Sequence, residues 1–365
     1  MAEPLTVTQG WRPPPVGVPR PGTIERIPKW LNLVPMVIQW AWLGLRYRSL
    51  TLPSAANPAI TAGGLVGDSK SEYFAVMGPD ARQRVAPFAL LTAHGVQALP
   101  AALAAMAAAG LAFPVVAKPD LGWCGFGVRR IDDVAGLTAY LADYPEGEVL
   151  MLQRYLDEPG EAGIYYIRHP ARDGGQFLGI LLRHYPQVTG DGLRTLGELV
   201  VEDDRLRRAF DRPHEHRCEI DPARIPAVGE VVRLSLIGST RVGGRYEDGS
   251  ELATPELLAA IEAVACDMPE FHVGRFDVRF ATVPDLRAGR FTIMEVNGAG
   301  SEAVHAWDPK YSVRQVYAMV FAKQRALFEI GAANRGRGFR PIGALALARH
   351  HLRQQRLIRR YPPSN

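Results

Sequence analysis

The sequence predicts an α+β fold divided into roughly two domains. A chain of 365 residues has the length of roughly two units of about 150 residues each. Short β-rich runs and amphipathic helical runs mix along it without the strict alternation that builds a doubly wound parallel sheet. With 47% hydrophobic and 22% charged residues, the composition excludes a wholly disordered chain, a collagen-like repeat and a polytopic membrane protein.

Periodicity and turn residues predict the elements in order. A loop punctuated by Pro and Gly is expected over 50–68. Two β-rich runs, 113–120 and 126–131, flank a glycine-bearing turn, and this pattern predicts a hairpin. Further strands are predicted within 87–91, 149–155, 162–169, 176–186, 226–236, 274–283 and 291–298. Helices are predicted at 69–76, 100–109, 132–143, 195–206, 255–268, 313–330 and 341–360.

Cysteine usage indicates a reducing compartment. The three cysteines, Cys124, Cys218 and Cys266, are far apart and form no CxxC pair. Neither a disulfide framework nor a cysteine zinc site is therefore expected. A cytoplasmic location fits this pattern best.

The basic charge of the chain is concentrated near its C-terminus. The formal charge is +4, but residues 331–365 hold eight arginines and no acidic residue, so the remainder is net negative. Such a segment can meet nucleic acid, anionic lipid or only water. Because neither aromatic interleaving nor zinc-finger spacing accompanies it, no nucleic-acid partner is expected.

An uncharged apolar run follows an irregular leader. Residues 1–28 are rich in Pro and Gly, and residues 30–45 carry no charge. As a helix the run would measure about 24 Å, against the roughly 30 Å of a bilayer core, so it is too short to span. Its three tryptophans and flanking cations suit peripheral contact with the inner face of a membrane. A helix packed on the protein body explains the same residues, and both interpretations stay open.

Two β-rich runs near the C-terminus carry candidate metal ligands. Asp277 lies in GRFDVRF, and Glu295 and Asn297 lie two apart in IMEVNGAGSE, where they project to one face of a strand. Carboxylate and amide oxygens are the ligands that Mg²⁺ prefers, often together with a nucleotide phosphate. The alternative is that the carboxylates only pair with Arg275 and Arg279 on a solvated sheet.

A lysine beside a glycine turn is the second candidate site. Lys118 lies on the run VVAKPD, and Gly122, Gly125 and Gly127 follow it. An ammonium and several backbone N–H groups can surround a polyphosphate there, although glycine turns in hairpins are usually only turns. A dinucleotide-binding fingerprint is disfavoured because a second strand, not a helix, follows the turn. The segment GGLVGDSKS fails as a P-loop because Ser69 stands where Gly must precede the lysine.

The order of these motifs resembles a known superfamily. Lys70, then AKPDLGWCGFGV, VLMLQRYLDEPGE, GRFDVRF and IMEVNGAGSE, resemble the ATP-grasp superfamily, in particular the carboxylate–amine ligases that include D-alanine–D-alanine ligase. The resemblance covers residues 64–325. It implies two α+β lobes that clasp ATP. It also implies an ATP- and Mg²⁺-dependent ligase that joins a small carboxylic acid to an amine through an acyl phosphate.

The resemblance also implies which residues meet the nucleotide. Two lysines contact it, two glycines belong to the loop over the phosphates, three hinge residues read adenine and one glutamate binds the ribose hydroxyls. In the same order, these residues are Lys70, Lys118, Gly125, Gly127, Gln153, Arg154, Tyr155 and Glu161.

At the reacting end, the resemblance implies a metal site and two catalytic cations. Asp277, Glu295 and Asn297 match three metal ligands, with Glu295 as the bridge between two Mg²⁺ ions. Arg275, in the pattern Gly-Arg-x-Asp, matches the arginine that steadies the reacting carboxyl and the transferring phosphate. Lys118 is the other cation expected to act in catalysis.

The N-terminal segment departs from the family. Members usually begin with a strand, a Gly-rich loop and a helix that help to bind the substrate carboxyl, whereas residues 1–63 offer the leader, the apolar run and a loop. The acid, the amine and the oligomeric state, a homo-oligomer included, therefore stay open. The expected units are an N-terminal segment, a small lobe, a large lobe with the metal site and a basic tail, at 1–63, 64–155, 156–330 and 331–365.

Alternatives remain for the function and for two further segments. An ATP-grasp kinase would stop at phosphoryl transfer, and a nucleotide-binding membrane adaptor would not turn over. The segment VTGDGLRTLGEL around Asp191 either resembles a stretch of amino-acid-polymerising members such as cyanophycin synthetase or forms a turn before a helix. His305, Trp307 and Asp308 either line the substrate pocket or pack as loop residues.

Overall fold

The computed structural model describes residues 27–210 and 220–365. Nearly all of the predicted leader, and Cys218, lie outside these ranges. Within them, helices combine with antiparallel sheets, so the α+β prediction is confirmed. The α-helices are α1 (Lys29–Arg46), α2 (Lys70–Val76), α3 (Pro79–Gln83), α4 (Ala98–Ala108), α5 (Val134–Asp143), α6 (Leu196–Glu202), α7 (Asp204–Phe210), α8 (Pro255–Cys266), α9 (Val283–Arg287), α10 (Val313–Gly336) and α11 (Ala344–Ile358). The strands are β1 (Phe88–Thr92), β2 (Val115–Pro119), β3 (Arg129–Ile131), β4 (Val149–Arg154), β5 (Gly160–Ile167), β6 (Gln176–His184), β7 (Gln187–Thr189), β8 (Val231–Arg233), β9 (Arg245–Asp248), β10 (Val273–Phe280) and β11 (Thr292–Asn297).

The smaller sheet has the order β1-β4-β2-β3 with antiparallel neighbours. β2 and β3 form the hairpin that the sequence predicts. Alternate residues such as Leu150 and Leu152 point to one face, where they pack with Ala102 of α4 and Leu137 of α5. This sheet and its two helices form a first hydrophobic core. Lys118 lies on β2 of this sheet.

The larger sheet has the order β11-β10-β5-β6-β9 and is also antiparallel throughout. Its apolar face packs against α8 and against two aromatic residues of α2, Tyr73 and Phe74. Pairing between β10 and β11 skips Met294, and this β-bulge leaves both Ile293 and Val296 in the core. The opposite face of the sheet is therefore free to carry charged residues.

The two sheets meet along a short seam. Val85 forms an isolated bridge with Ile293 of β11. Ala86 N donates to Ile293 O at 2.9 Å, and Ile293 N donates to Arg84 O at 2.7 Å. The segment that leads into β1 therefore extends the edge of the larger sheet, and the polar face lies beside the smaller one.

A third, two-stranded sheet, β7 with β8, packs with α6 and α7. The sequence predicted one helix over 195–206, and this is wrong. Asp203 has non-helical dihedrals, and its carboxylate accepts hydrogen bonds from Arg205 N and Leu206 N. It thus caps a second helix, because Asp competes with the helical backbone for its hydrogen bonds. By contrast, α10 is longer than predicted, because it continues to Gly336, beyond the predicted end at Ile330.

The predicted apolar run forms α1, which lies on α10. Gln39 Nε2 donates to Phe321 O at 2.9 Å, and the Trp40 and Phe328 rings meet edge to face at 5.1 Å. Other large apolar side chains of α1 stay exposed, among them Val37 and Ile38 at 62% and 64%. In the part of the chain that the structure describes, no helix is both long enough and apolar enough to cross a membrane.

The C-terminal residues after α11 return to the hairpin of the smaller sheet. Tyr361 Oη donates to Leu121 O at 2.6 Å, and Arg129 Nη2 donates to Pro363 O at 2.9 Å. Asn365 N donates to Val128 O at 3.3 Å. The end of the basic segment therefore packs against the glycine turn.

Candidate active site

The register of β10 and β11 brings the three predicted metal ligands together. Asp277 lies opposite Glu295, and Arg275 lies opposite Asn297. Residues directly opposite in an antiparallel pair have Cβ atoms about 5 Å apart. Two carboxylates and one amide therefore cluster on the polar face, where that face meets the smaller sheet.

Asp277 is buried among cationic donors. Arg275 donates through Nε at 2.8 Å and Nη2 at 3.1 Å, and Arg183 Nη2 is 3.2 Å from both carboxylate oxygens. Asn297 Nδ2 donates at 3.0 Å. Burial alone would raise the pKa of Asp277, but Arg183 and Arg275 hold it below its ordinary value. The group is therefore ionised at neutral pH.

Lys118 reaches from β2 to the larger sheet. Its Nζ donates to Gln153 Oε1 at 2.7 Å and to Met294 O at 3.0 Å. Burial lowers its pKa to about 8, Glu295 acts in the opposite direction and Lys70 lowers it further. The ammonium is thus weakly compensated, and an added phosphate would stabilise its charge.

Lys70 opens α2 and links the glycine turn to Glu295. Its Nζ donates to Pro119 O at 3.0 Å and to Gly122 O at 3.3 Å, and lies 3.6 Å from Glu295 Oε1. Asp120 holds this helix end by accepting hydrogen bonds from Ser71 N and Oγ at 2.7 and 2.6 Å. Lys70 therefore pairs with the carboxylate whose charge also acts on the pKa of Lys118.

The glycine turn needs glycine at two positions. Gly125 and Gly127 both have φ of 72°, where L side chains are disfavoured. A Cβ on Gly127 would lie 2.8 Å from Pro119 Cγ. Arg241 holds the turn from the other side, donating to Cys124 O and Gly125 O at 3.1 and 3.2 Å.

The predicted hinge and ribose residues lie at the end of β4 and the start of β5. Gln153 is buried and accepts from Lys118, whereas Arg154 is exposed and Tyr155 lies under the Arg130 guanidinium at 4.7 Å. Glu161 is buried and already engaged: Arg183 Nη1 lies 2.8 Å from Oε1, Arg279 Nε lies 3.7 Å from Oε2, and Tyr185 also donates to Oε2.

Arg183 is a site residue that the sequence motifs did not indicate. It lies on β6, and its guanidinium bridges Glu161 and Asp277, two predicted functional carboxylates. Burial alone would raise the pKa of Glu161, but Arg279 and Arg183 lower it. The signal for Arg183 was weak, because its partners lie 22 and 94 residues away. A charged residue inside the apolar run QFLGILLRHYP was the available sign.

The donor set fits Mg²⁺ in part. Glu295 is partly exposed and meets only Lys70 among the ion pairs of the described residues. Asn297 directs Nδ2 to Asp277, so its Oδ1 points elsewhere and remains an oxygen donor. The oxygens of Asp277 are held by guanidinium groups. No trio of His, Cys, Asp or Glu within 27–210 and 220–365 is arranged as a metal site, so a metal here requires Asn297 and oxygens from a nucleotide.

The segments around Asp191 and around His305 make contacts with neighbouring parts of the fold. Asp191 accepts hydrogen bonds from Leu193 N and Arg194 N, each at 2.9 Å, and forms a turn before α6. His305 is buried, and its ring packs over Gly179 of β6. Asp308 Oδ2 accepts from Asp248 N at 2.8 Å. These contacts are those expected if the first segment forms a turn before a helix and the residues of the second pack in a loop.

No family model and no curated protein matches the chain, but solved structures do. D-alanine–D-alanine ligase from Bacillus anthracis is 13% identical with a TM-score of 0.41, over 76% of this chain and 72% of that one. D-cycloserine synthetase is 15% identical with a TM-score of 0.40, over 71% and 69%. A bifunctional glutathione synthetase from Pasteurella multocida is 17% identical with a TM-score of 0.33, over 73% of this chain but 38% of that one.

The identities of these three matches lie between 13% and 17%, and their TM-scores lie between 0.33 and 0.41. D-alanine–D-alanine ligase, the enzyme type whose motifs the sequence resembles, is among the matched structures. The chain spans well under half of the glutathione synthetase that it matches. The function of this chain is therefore inferred from its own side chains.

Proposed function

We propose that the protein is an ATP-dependent ligase that activates a small carboxylic acid as an acyl phosphate and joins it to an amine. The observation that carries the proposal is the convergence of five cations and three carboxylates where the sheets meet. The cations are Lys70, Lys118, Arg183, Arg275 and Arg279, and the carboxylates are Glu161, Asp277 and Glu295. Cations in excess over carboxylates in a cleft suit a polyphosphate.

The nucleotide is assigned to the cleft between the two sheets. Its phosphates lie between the glycine turn and β11, where Lys70 and Lys118 exchange their backbone carbonyl partners for phosphate oxygens. The adenine lies against the end of β4, at residues 153–155. Glu161 contacts the ribose only if a ribose hydroxyl replaces one of its present donors, because both of its oxygens are engaged.

The reaction needs no side-chain nucleophile. A carboxylate oxygen of the acid attacks the γ-phosphorus, and the bond to the β–γ bridging oxygen breaks, so that ADP and an acyl phosphate form. The amine then attacks the acyl carbon and loses a proton as phosphate leaves. Lys118 and Arg275 stabilise the charge on the transferring phosphoryl group, and the burial of Lys118 and Asp277 limits the access of water to both side chains.

Mg²⁺, held by Glu295 and Asn297 together with nucleotide oxygens, supplies further neutralisation of phosphate charge when bound. Arg183 orients Asp277 and Glu161 by bonding to both. It therefore keeps the polar face of the larger sheet in one arrangement while the substrates bind.

ADP release and hydroxamate formation test the proposal. The full chain is incubated with ATP, Mg²⁺, a panel of carboxylic acids and either amines or hydroxylamine. We expect acid-dependent ADP release, and a hydroxamate wherever an acyl phosphate forms. Lys118→Ala should lower the rate about a hundredfold or more, which corresponds to about 3 kcal/mol of transition-state stabilisation. The control Lys310→Ala removes a half-exposed lysine paired with Asp248 and should keep the rate.

Each alternative gives a different result in this assay. ADP release with a phosphorylated alcohol and no hydroxamate would identify a kinase and refute the ligase. Nucleotide binding without ADP release across the panel would identify an adaptor. Equal rates for Lys118→Ala and the wild type would place the nucleotide elsewhere.

We also propose that α1 contacts an anionic membrane surface. Its outward face exposes Trp30, Val37, Ile38 and Leu45 at 62–79%, and no acidic residue occurs from 27 to 67. Apolar and tryptophan side chains flanked by cations suit the headgroup boundary. This contact is independent of the reaction chemistry.

Flotation with vesicles tests this contact. Full-length protein should float with phosphatidylglycerol vesicles at low salt, and the double variant Val37→Asp, Ile38→Asp should remain at the bottom. The control Leu193→Asp changes a side chain that is 81% exposed elsewhere and should float normally. Point variants are preferable to deleting 331–365, because that segment contacts the glycine turn. Failure of the wild type to float would refute the contact.

A further inference from the structure

A pocket remote from the candidate active site has an excess of positive charge. It lies where β5 ends and β10 begins, with a volume of about 250 Å³. Arg168, Arg172 and Arg337 line it together with two histidines, and Glu270 is the single carboxylate among its lining residues. The lining residue His272 precedes Asp277 by five residues, about 16 Å along an extended strand. The pocket is therefore separate from the nucleotide cleft.

Glu270 neutralises one of the three guanidinium groups that line the pocket. Both Glu270 oxygens accept hydrogen bonds from Arg337, at 2.6 and 2.7 Å. Arg168 donates to Phe271 O and Cys266 Sγ, at 3.3 and 3.2 Å, neither of which is charged. Arg172 is exposed and makes no ion pair with the residues that the structure describes. Two guanidinium charges thus have no carboxylate partner in the pocket.

Buried polar atoms here also lack partners. His272 is 5% exposed, and its Nε2 lies 3.1 Å from Glu270 Oε2, but its Nδ1 is buried with no hydrogen-bond partner among the described residues. The Nε of Arg168 is also buried with no hydrogen-bond partner among the described residues. A buried polar atom of this kind is unfavourable unless water or a ligand satisfies it.

We propose that this pocket binds a small anion that carries a phosphate group. Two uncompensated guanidinium charges match a phosphomonoester, which carries a charge of about −1.5 to −2 at neutral pH, better than they match a single carboxylate. The planar guanidinium presents paired donors that suit phosphate oxygens. The volume admits more than the phosphate group itself, so the ligand is a phosphate attached to a small organic group.

Two sources supply this chemistry: a free phosphomonoester, and the headgroup of an anionic lipid. Arg337 directly follows the last residue of α10, and Arg335 of the same helix donates to Tyr47 O, just after α1, at 3.0 Å. The pocket is thus connected through one helix to the apolar face assigned to membrane contact. It does not depend on the nucleotide cleft.

Two binding arms at constant ionic strength, with the full chain, test the proposal. The first arm titrates inorganic phosphate and glycerol phosphate while the His272 ring signals are followed by NMR, with assignment from His272→Gln. The second arm measures cosedimentation with phosphatidylcholine vesicles that contain phosphatidic acid, against vesicles that contain phosphatidylglycerol. The variants are Arg172→Ala, its charge-retaining partner Arg172→Lys, and Arg314→Ala, which removes an exposed arginine at the other end of α10. Lys118→Ala controls for phosphate bound in the nucleotide cleft.

The proposal predicts saturable perturbation of His272 that Arg172→Ala weakens about tenfold or more, while Arg172→Lys weakens it less. Arg314→Ala and Lys118→Ala should leave it unchanged. Arg172-dependent binding of glycerol phosphate in the first arm identifies a free phosphomonoester as the source, and Arg172-dependent preference for phosphatidic acid vesicles alone identifies the lipid headgroup. No Arg172-dependent binding in either arm, with thermal melting showing all variants folded, overturns the proposal.

Discussion

Nucleotide affinity should fall as the pH rises through the pKa of Lys118. Burial lowers that pKa to about 8 in the free protein, so the side chain is about nine-tenths charged at pH 7 and about one-tenth charged at pH 9. If only the ammonium form binds phosphate, affinity for ADP drops about tenfold between these values, or about 1.4 kcal/mol. A phosphate oxygen at Nζ favours the charged form and raises the pKa on binding. Proton uptake should therefore accompany binding above pH 8 and vanish below pH 7.

Calorimetry with ADP, in two buffers of different ionisation enthalpy, measures both quantities. Lys118→Arg is the matched control, because a guanidinium stays charged throughout this range and should give affinity that is almost independent of pH. A melting curve at each pH confirms that the protein remains folded. The reasoning is refuted if the wild type takes up no proton near pH 8.5, or if Lys118→Arg shows the same tenfold fall.

Three further variants test other contacts of the site. Glu295→Gln removes a partly exposed charge and should lower acyl-phosphate formation about a hundredfold with little change in melting temperature; unchanged turnover would place the metal elsewhere. Arg183→Met removes a cation shared by two buried carboxylates, which keep Arg275 and Arg279 as partners, and should cost about 1.5 to 3 kcal/mol in urea unfolding, whereas Arg290→Met, which breaks an exposed pair, should cause little or no loss. Equal losses in the two variants would show that Arg183 is not a structural bridge. Asp120→Ala removes the acceptor at the start of α2 and should cost about 1 to 2 kcal/mol and weaken ADP binding, because Lys70 is then less well held; unchanged affinity would contradict that link.

Local sequence signals predicted most elements of the fold and the strand pair that carries the acidic residues. Glu295 and Asn297 are two apart in one strand, and Asp277 lies in the neighbouring β-rich run, so period-two alternation placed them on one face. Helix ends with capping residues were located within a few positions, as with Ser69 before α2. These features depend on residues within one or two turns or strands of each other.

Features set by distant contacts were not predictable in this way. Arg183 acquires its role from strands that become its neighbours only after folding. The helix predicted over 195–206 is interrupted at Asp203 because its carboxylate accepts capping hydrogen bonds from backbone N–H groups. The amino-acid composition of the segment does not show whether helical or capping hydrogen bonds will form. Hydropathy likewise fitted both alternatives for α1, which is partly packed on α10 and partly exposed. No sequence motif indicated that both Glu161 oxygens would accept hydrogen bonds from Arg183 and Tyr185.

The narrow seam at Ile293 determines how the cleft can open. A sheet joined to its neighbour along one edge can move mainly by rotation about that edge, so displacement grows with distance from it. The glycine turn follows β2, two strands away from β1, or about 10 Å at the usual strand spacing. A rotation of about 20° would therefore move it by roughly 3 Å at this spacing while backbone pairing at Val85 and Ile293 persists. Such an opening would disrupt the side-chain contacts of Lys70 and Lys118 and leave the sheets themselves intact.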